Sequence, residues 1–454
     1  MKVTDFGSDF NWGVSVAALQ IEGAHNSDGK GPSIWDTFAQ KKNKIHNGHH
    51  PGIACDFYNR YQDDVLLMKQ LGINNFRFSL AWSRIIPNGT GEVNHKGLDF
   101  YKRLTESLFE AGITPWITLY HWDLPQALED KGGWTNRAIL DWFAAYTQVV
   151  ARELLPMGIK NWMVLNEPLV FTGAGHFLGH HAPGRRGFSN FIPAMLHAAL
   201  CTGAGERILR SFGHGLNIGS TYSCSMVTPR TNSGADLRAT KKADALLNRL
   251  FIEPAMGLGF PLQDLPVLSR VEKLMRPEDE ANLKANLDFI GIQNYTREVV
   301  EACWYVPYLK ARLVSARKRG VPYTQMNWEV YPPAIGHMLS QFAAYNPALP
   351  LIVTENGAAF EDDLPVKEIL HDPLRKAYIQ SHIQEVLHAQ KTGINVRGYF
   401  VWTLLDNFEW AEGYRPRFGL VHVDFETQRR TLKQSGLWYS EFMNGGQKLN
   451  TSPG

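Results

Sequence analysis

Eight short apolar runs, each followed by a longer stretch with helical spacing, constrain this chain more than any other feature. The runs are 11–17 (NWGVSVA), 75–80 (NFRFSL), 114–120 (TPWITLY), 160–165 (KNWMVL), 217–222 (NIGSTY), 288–293 (DFIGIQ), 350–354 (PLIVT) and 396–402 (VRGYFVW). Their near-continuous apolar character suits strands covered on both faces. Between them, the stretch 98–111 places Leu104, Leu108 and Ala111 on one helical face, and 139–154 repeats the spacing. Strands that alternate with helices build a parallel sheet with helical crossovers, and eight of them close a (β/α)8 TIM barrel. Such barrels extend past ~400 residues as one domain when their loops are long. Residues 1–454 are therefore expected to form a single α/β domain. The long connections 17–56, 166–192 and 294–328 are expected to wall a site.

In such barrels the site lies at the C-terminal ends of the strands. Two of the runs end on a carboxylate there. LIVTENG at 351–357 carries Glu355, and WMVLNEP at 162–168 carries Glu167, each just past its predicted strand. A carboxylate beside a buried strand is costly unless it is hydrogen-bonded or paired. Other polar and aromatic residues gather at the same end: Gln20 and Glu22 after the first run, His121 and Trp122 after the third, Asn294 and Tyr295 after the sixth, with Trp402 closing the eighth. Arg77 lies within the second. Structural pairing explains one such carboxylate; the gathering at one end of so many strands points to a shared site.

Two carboxyl groups facing one another across a cleft are what hydrolysis of a glycosidic bond requires. One stays ionised and the other stays protonated, so their surroundings must differ. Arg77 is a candidate to hold one of them ionised, because a neighbouring cation lowers a carboxyl pKa by about 1–3 units. The thirteen tryptophans are a large supply of flat apolar faces, and several adjoin polar residues: HWDLP at 121–125, MNWEV at 326–330 and NFEWAEGY at 407–414. Indoles stack on the C–H faces of pyranose rings while Glu, Gln, Asn and His bond the hydroxyls. Glu409 and Trp410, a carboxylate next to an indole, fit that role better than core packing.

From about Phe10 to Phe442 these motifs together resemble glycoside hydrolase family 1, the retaining β-glucosidases. FNWGVSVAALQIEGA is similar to the opening signature of that family, which implies that Gln20 bonds a sugar hydroxyl. HWDLP makes His121 a sugar ligand beside Trp122. VLNEP implies that Glu167 is the acid/base and that Asn166 holds the sugar 2-hydroxyl; VTENG implies that Glu355 is the nucleophile. Asn294 and Tyr295 stand at the family's N-Y-Y run, with Tyr295 positioning the nucleophile and Arg77 supporting it. Trp402, Glu409 and Trp410 complete the glycone pocket, and Trp328 is the platform on the leaving-group side. The sequence departs from the family in having Val164-Leu165 before Asn166 where a Thr is common, and Thr296 where a second Tyr is common. The segment 296–328 is only loosely similar. The resemblance implies a two-step retaining hydrolysis of terminal β-glucosyl residues, cellobiose among them, with β-fucosyl and β-galactosyl as open epimers. The carboxyl groups of a retaining enzyme stand ~5–5.5 Å apart.

No metal or organic cofactor is expected. HNGHH at 46–50 lacks a structural ligand set and reads as a loop. Among the alternatives, a 6-phospho-β-glycosidase conflicts with Glu409, whose charge would repel a phosphate. A thioglucosidase would carry Gln at position 167. A sugar-binding protein without catalysis would not need both glutamates, and a metal-dependent barrel hydrolase would need ligands that are missing. A formal net charge of +2 gives no field favouring nucleic acid or a membrane surface, and KKNK at 41–44 is too short to change that. No apolar run reaches the ~18 residues of a membrane span. MKVTDFGSDFNWG contains no apolar h-region, and four scattered cysteines do not form a disulfide framework, so the cytoplasm is the expected location. The expected partner is a small β-glycoside or oligosaccharide. Loop aromatics serve either a substrate wall or an interface in a homo-oligomer.

Overall fold

A computed structural model describes residues 1–362, 365–366 and 369–447. All eight predicted strands form, as β1 (Asn11–Ser15), β2 (Asn75–Ser79), β3 (Thr114–Tyr120), β4 (Asn161–Asn166), β5 (Asn217–Ser223), β6 (Phe289–Gln293), β7 (Leu351–Asn356) and β8 (Val396–Trp402). They pair in parallel in chain order, and β8 closes on β1 to give the barrel. Two expected helices are present as His95–Glu110 and Ile139–Leu154. The first buries Leu98, Leu104 and Leu108 against the barrel, while Ala111 falls just beyond its end as the C-cap.

Large side chains fill the interior. Trp116, Met163, Phe289, Ile352 and Phe400 form an inner cluster separate from the helix-facing core. Small residues on neighbouring strands make room for them. A Cβ on Gly13 would lie 2.6 Å from the ring of Phe400, and one on Gly219 would lie 2.5 Å from that of Phe289. Glycine in a strand commonly marks such a close approach.

The strand containing Glu355 differs from expectation. It continues through Asn356 instead of stopping at 354, so Glu355 lies inside β7. Its pairing with β6 shifts register between Val353 and Glu355, and its pairing with β8 shifts between Val353 and Asn356. A similar shift between Met163 and Asn166 interrupts the pairing of β4 with β5. Such irregularities re-aim side chains near active sites, which two-residue alternation does not foresee. The connection 294–328 is also more than a loop. Arg297–Ala302 and Ala311–Leu313 join Met226–Pro229 in a small sheet outside the barrel. Among the described residues, no helix is long and apolar enough to cross a membrane.

Candidate active site

Glu167 follows directly on β4, and its backbone adopts a left-handed conformation (φ 44°) as the N-cap of the helix Pro168–Thr172. Trp122 and Trp410 also have positive φ, at 75° and 48°. Non-glycine residues in this region carry strain that the surrounding structure must sustain, and such strain concentrates at functional sites. All three line one cavity of about 960 Å³ at the C-terminal mouth of the barrel, together with His121, Glu355 and Trp402.

The surroundings of the two glutamates differ. Glu355 Oε1 accepts a hydrogen bond from Arg77 Nη1, and Oε2 accepts one from the Tyr295 hydroxyl at 2.7 Å. The other arm of Arg77, Nη2, donates to Asn166 Oδ1 at 2.6 Å. Glu167 has no side-chain hydrogen bond among the described residues. Burial, then the adjacent Glu355 charge, pushes the Glu167 carboxyl well above the usual carboxylate range. Burial also raises Glu355, but the Arg77 guanidinium and the Tyr295 hydroxyl oppose it. In this pair the single negative charge settles on Glu355 and the proton on Glu167.

Asn166 is the hub between them. Its Oδ1 also accepts from Gln293 Nε2 at 2.8 Å and Thr221 Oγ1 at 2.9 Å. Its Nδ2 lies 3.0 Å from His121 Nε2. Burial, then the Arg77 charge, holds His121 well below its usual range, so its ring is neutral. Nε2 then accepts from the Asn166 amide and Nδ1 carries the proton. Among the described residues that Nδ1 has no partner, nor do Gln20 Oε1 and Gln293 Oε1. The Gln20 amide donates to Phe408 O at 2.9 Å, Asn407 Oδ1 at 3.0 Å and Glu409 Oε2 at 3.3 Å. Burial and the Glu355 charge push Glu409 up to about 8.

The aromatic rings form two groups. Trp410 packs between Trp122, with ring centroids 4.5 Å apart, and Trp35 at 4.8 Å. His121 lies nearly parallel to both Trp402 and Trp410. Tyr295 lies against Trp328 with centroids 5.1 Å apart.

Most residues expected from the sequence therefore converge. Asn294 does not: its amide donates to Cys224 O at 2.9 Å and Thr296 O at 3.0 Å, holding the chain behind the cavity. The residue before it, Gln293, closes β6 and lines the cavity instead. Its place at the end of a strand is the signal; the N-Y-Y resemblance points one residue too far. Glu22 also turns away and bonds Arg84 Nε at 2.8 Å and the Tyr101 hydroxyl at 2.7 Å. Trp35 lies in the connection 17–56, whose length signals a wall of the site without singling out this residue.

Elsewhere, Asp362, Asp406 and His422 offer a possible ligand cluster. The Lys433 ammonium already stands 2.9 Å from Asp362 and 2.8 Å from Asp406, so the site's cation is a side chain. In the segment 46–50, His49 Nδ1 and His50 Nδ1 accept backbone N–H bonds from Tyr414 and Gly52.

A closed parallel barrel with an unequal glutamate pair at its strand ends, set in an aromatic cavity, defines a glycoside hydrolase of the paired-carboxylate kind. The chain belongs to glycosyl hydrolase family 1, whose model matches residues 2–447. It is 39% identical over 444 residues to "Beta-glucosidase A" of Acetivibrio thermocellus, covering 97% of this chain and 98% of that one. It is 40% identical over 442 residues to "Beta-glucosidase A" of Thermotoga maritima, with the same coverage. A solved structure of the β-glucosidase from Thermotoga maritima in complex with glucoimidazole superposes with a TM-score of 0.91 at 39% identity, over 97% of this chain and 99% of that one.

Proposed function

We propose that the chain is a retaining β-glucosidase in which Glu355 is the nucleophile and Glu167 the acid/base. The observation that carries this reading is the inequality of the pair. Glu355 is held by Arg77 and Tyr295, whereas the Glu167 carboxyl is buried beside it with no side-chain hydrogen bond among the described residues. Glu355 attacks the anomeric carbon as the glycosidic C–O bond breaks, and Glu167 gives its proton to the departing oxygen. In the resulting ester Glu355 is neutral, so the pKa of Glu167 falls and it can act as a base. Glu167 then takes a proton from water as the water oxygen attacks the anomeric carbon and the ester bond breaks.

Gln20, His121 and Gln293 each keep a buried polar atom with no partner among the described residues, which suits sugar hydroxyls. The remaining Asn166 N–H is free for the 2-hydroxyl, and Glu409 and Trp402 are placed for the far side of the ring. Names of the relatives, β-glucosidases among them, support glucose as the glycone. Free, buried cysteines fit a reducing cytoplasm.

The phosphate alternative is disfavoured for a different reason from the one expected. With its pKa pushed up to about 8, Glu409 supplies little repulsion at neutral pH in the free site. What is missing is a cation: among the described residues lining the cavity, none is Lys or Arg. The test is a panel of p-nitrophenyl glycosides, with the product anomer followed by NMR. Turnover of the β-glucoside with the β-anomer formed first supports the proposal; first release of the α-anomer, or preference for the 6-phosphate, refutes it.

A further inference from the structure

The cavity is much larger than the glycone pocket needs. Its volume of about 960 Å³ lies at the upper end of the ~300–1,000 Å³ typical of ligand sites. The lining is mostly apolar; besides the residues of the glycone pocket, its polar side chains are His181, Ser223, Ser225, Thr296, Glu298 and Glu412. One wall is aromatic: Phe177 packs on Phe188 with centroids 4.8 Å apart and on Phe191 at 5.7 Å, and Tyr308 meets Phe188 at 5.1 Å. Leu246, Leu247, Leu265 and Leu268 line the same cavity. At the mouth, Leu178, Tyr308 and Leu313 line the cavity yet remain 49%, 50% and 53% exposed. Exposed apolar patches of this kind generally mark a binding surface. The one carboxyl on this wall besides Glu412, Glu298, has no side-chain partner among the described residues, and burial lifts it to about 7.

We infer that the region beyond the two glutamates is a subsite for a hydrocarbon aglycone, so that the chain prefers β-glucosides of long alkyl alcohols to cello-oligosaccharides. A second and third sugar would set most of their hydroxyls against leucine and phenylalanine side chains that offer no hydrogen bond, more than the few polar groups there (Ser223, Ser225, Thr296, Glu298 and Glu412) can pair, leaving polar groups desolvated. A hydrocarbon chain has no such groups and gains from every methylene it buries. The segment 306–313, at the tip of the small sheet outside the barrel, supplies this wall; it lies within the stretch that resembles the family least. The inference rests on the glycosidase reading above.

The experiment compares kcat/KM for n-butyl, n-hexyl and n-octyl β-D-glucosides, below the concentrations at which they aggregate, with cellobiose, cellotriose and cellotetraose. The three alcohols are of near-equal acidity, so the demand on Glu167 is constant and the slope reports contacts alone. A fully buried methylene corresponds to about fourfold in kcat/KM. At least a tenfold rise from butyl to octyl is expected, with a flat cello-oligosaccharide series. Leu313→Glu, a change at an exposed position, should flatten the alkyl slope within that variant. A flat alkyl series in an enzyme that turns over p-nitrophenyl β-glucoside, or a rising cello-oligosaccharide series, overturns the inference alone. An unchanged slope in Leu313→Glu overturns the assignment of this wall. No turnover of any glucoside, the p-nitrophenyl one included, overturns the glycosidase reading itself.

Discussion

Replacing Tyr295 with Phe removes one oxygen and tests how the charge is held on Glu355. The hydroxyl donates to Glu355 Oε2 at 2.7 Å, while the ring packs against Trp328. Burial, with the charges of Glu355 and Glu167 nearby, pushes the Tyr295 hydroxyl well above its usual range, so it remains a donor throughout the working pH range. A hydrogen bond to a charged group contributes about 1.5–3 kcal/mol, equivalent to about 1–2 pKa units. The sign follows from which form is favoured. The hydroxyl stabilises ionised Glu355 and lowers its pKa, so its loss raises that pKa. The acid limb of kcat/KM, which reports the free enzyme, should move to higher pH by about 1–2 units. The alkaline limb, governed by Glu167, should move less. Phenylalanine keeps the ring contact, so packing does not confound the comparison. The assay is kcat/KM for p-nitrophenyl β-glucoside across both limbs, for wild type and Tyr295→Phe. A uniform loss at all pH values, with the acid limb unmoved, would refute the claim that this bond sets the ionisation of Glu355.

Further outcomes follow from the same geometry. Glu355→Gly should lose hydrolysis but regain turnover with azide, giving the α-glycosyl azide by NMR; the β-azide would reverse the two assignments. Glu167→Ala should slow alkyl glucosides by about 10²–10⁴-fold, the usual contribution of a general acid, and dinitrophenyl glucoside far less. Equal losses on both would remove Glu167 from that role. Lys433→Met leaves Asp362 and Asp406 without the buried ammonium between them. Breaking such a cluster costs about 3–5 kcal/mol, so a clear drop in thermal midpoint is expected. An unchanged midpoint would mean that Arg375, 3.1 Å from Asp362, and Arg417, 3.6 Å from Asp406, compensate the charge.

The sequence by itself determined the strands, the barrel they imply and the end of it that carries the chemistry. These rest on local properties: apolar runs, helical spacing, and the cost of ending a buried strand on a carboxylate. Glu167 and Glu355 were legible because each stands where that cost demands a reason. Tertiary structure decided the rest. The register shifts that extend β7 through Glu355 arise from pairing with β6 and β8, which the segment 350–354 alone does not encode. That Gln293, and not Asn294, faces the cavity depends on where β6 ends against its neighbours. The apolar wall combines the segment 246–268 with 306–313 and the helix Phe188–Phe212, and each reads separately as ordinary loop or helix. The division of labour between the glutamates depends most on the fold. Arg77 comes from β2 and Tyr295 from the chain after β6, and both converge on Glu355 while Glu167 receives neither. A carboxyl pKa is set by burial and by charges within a few ångströms, and only the closed barrel brings those neighbours together.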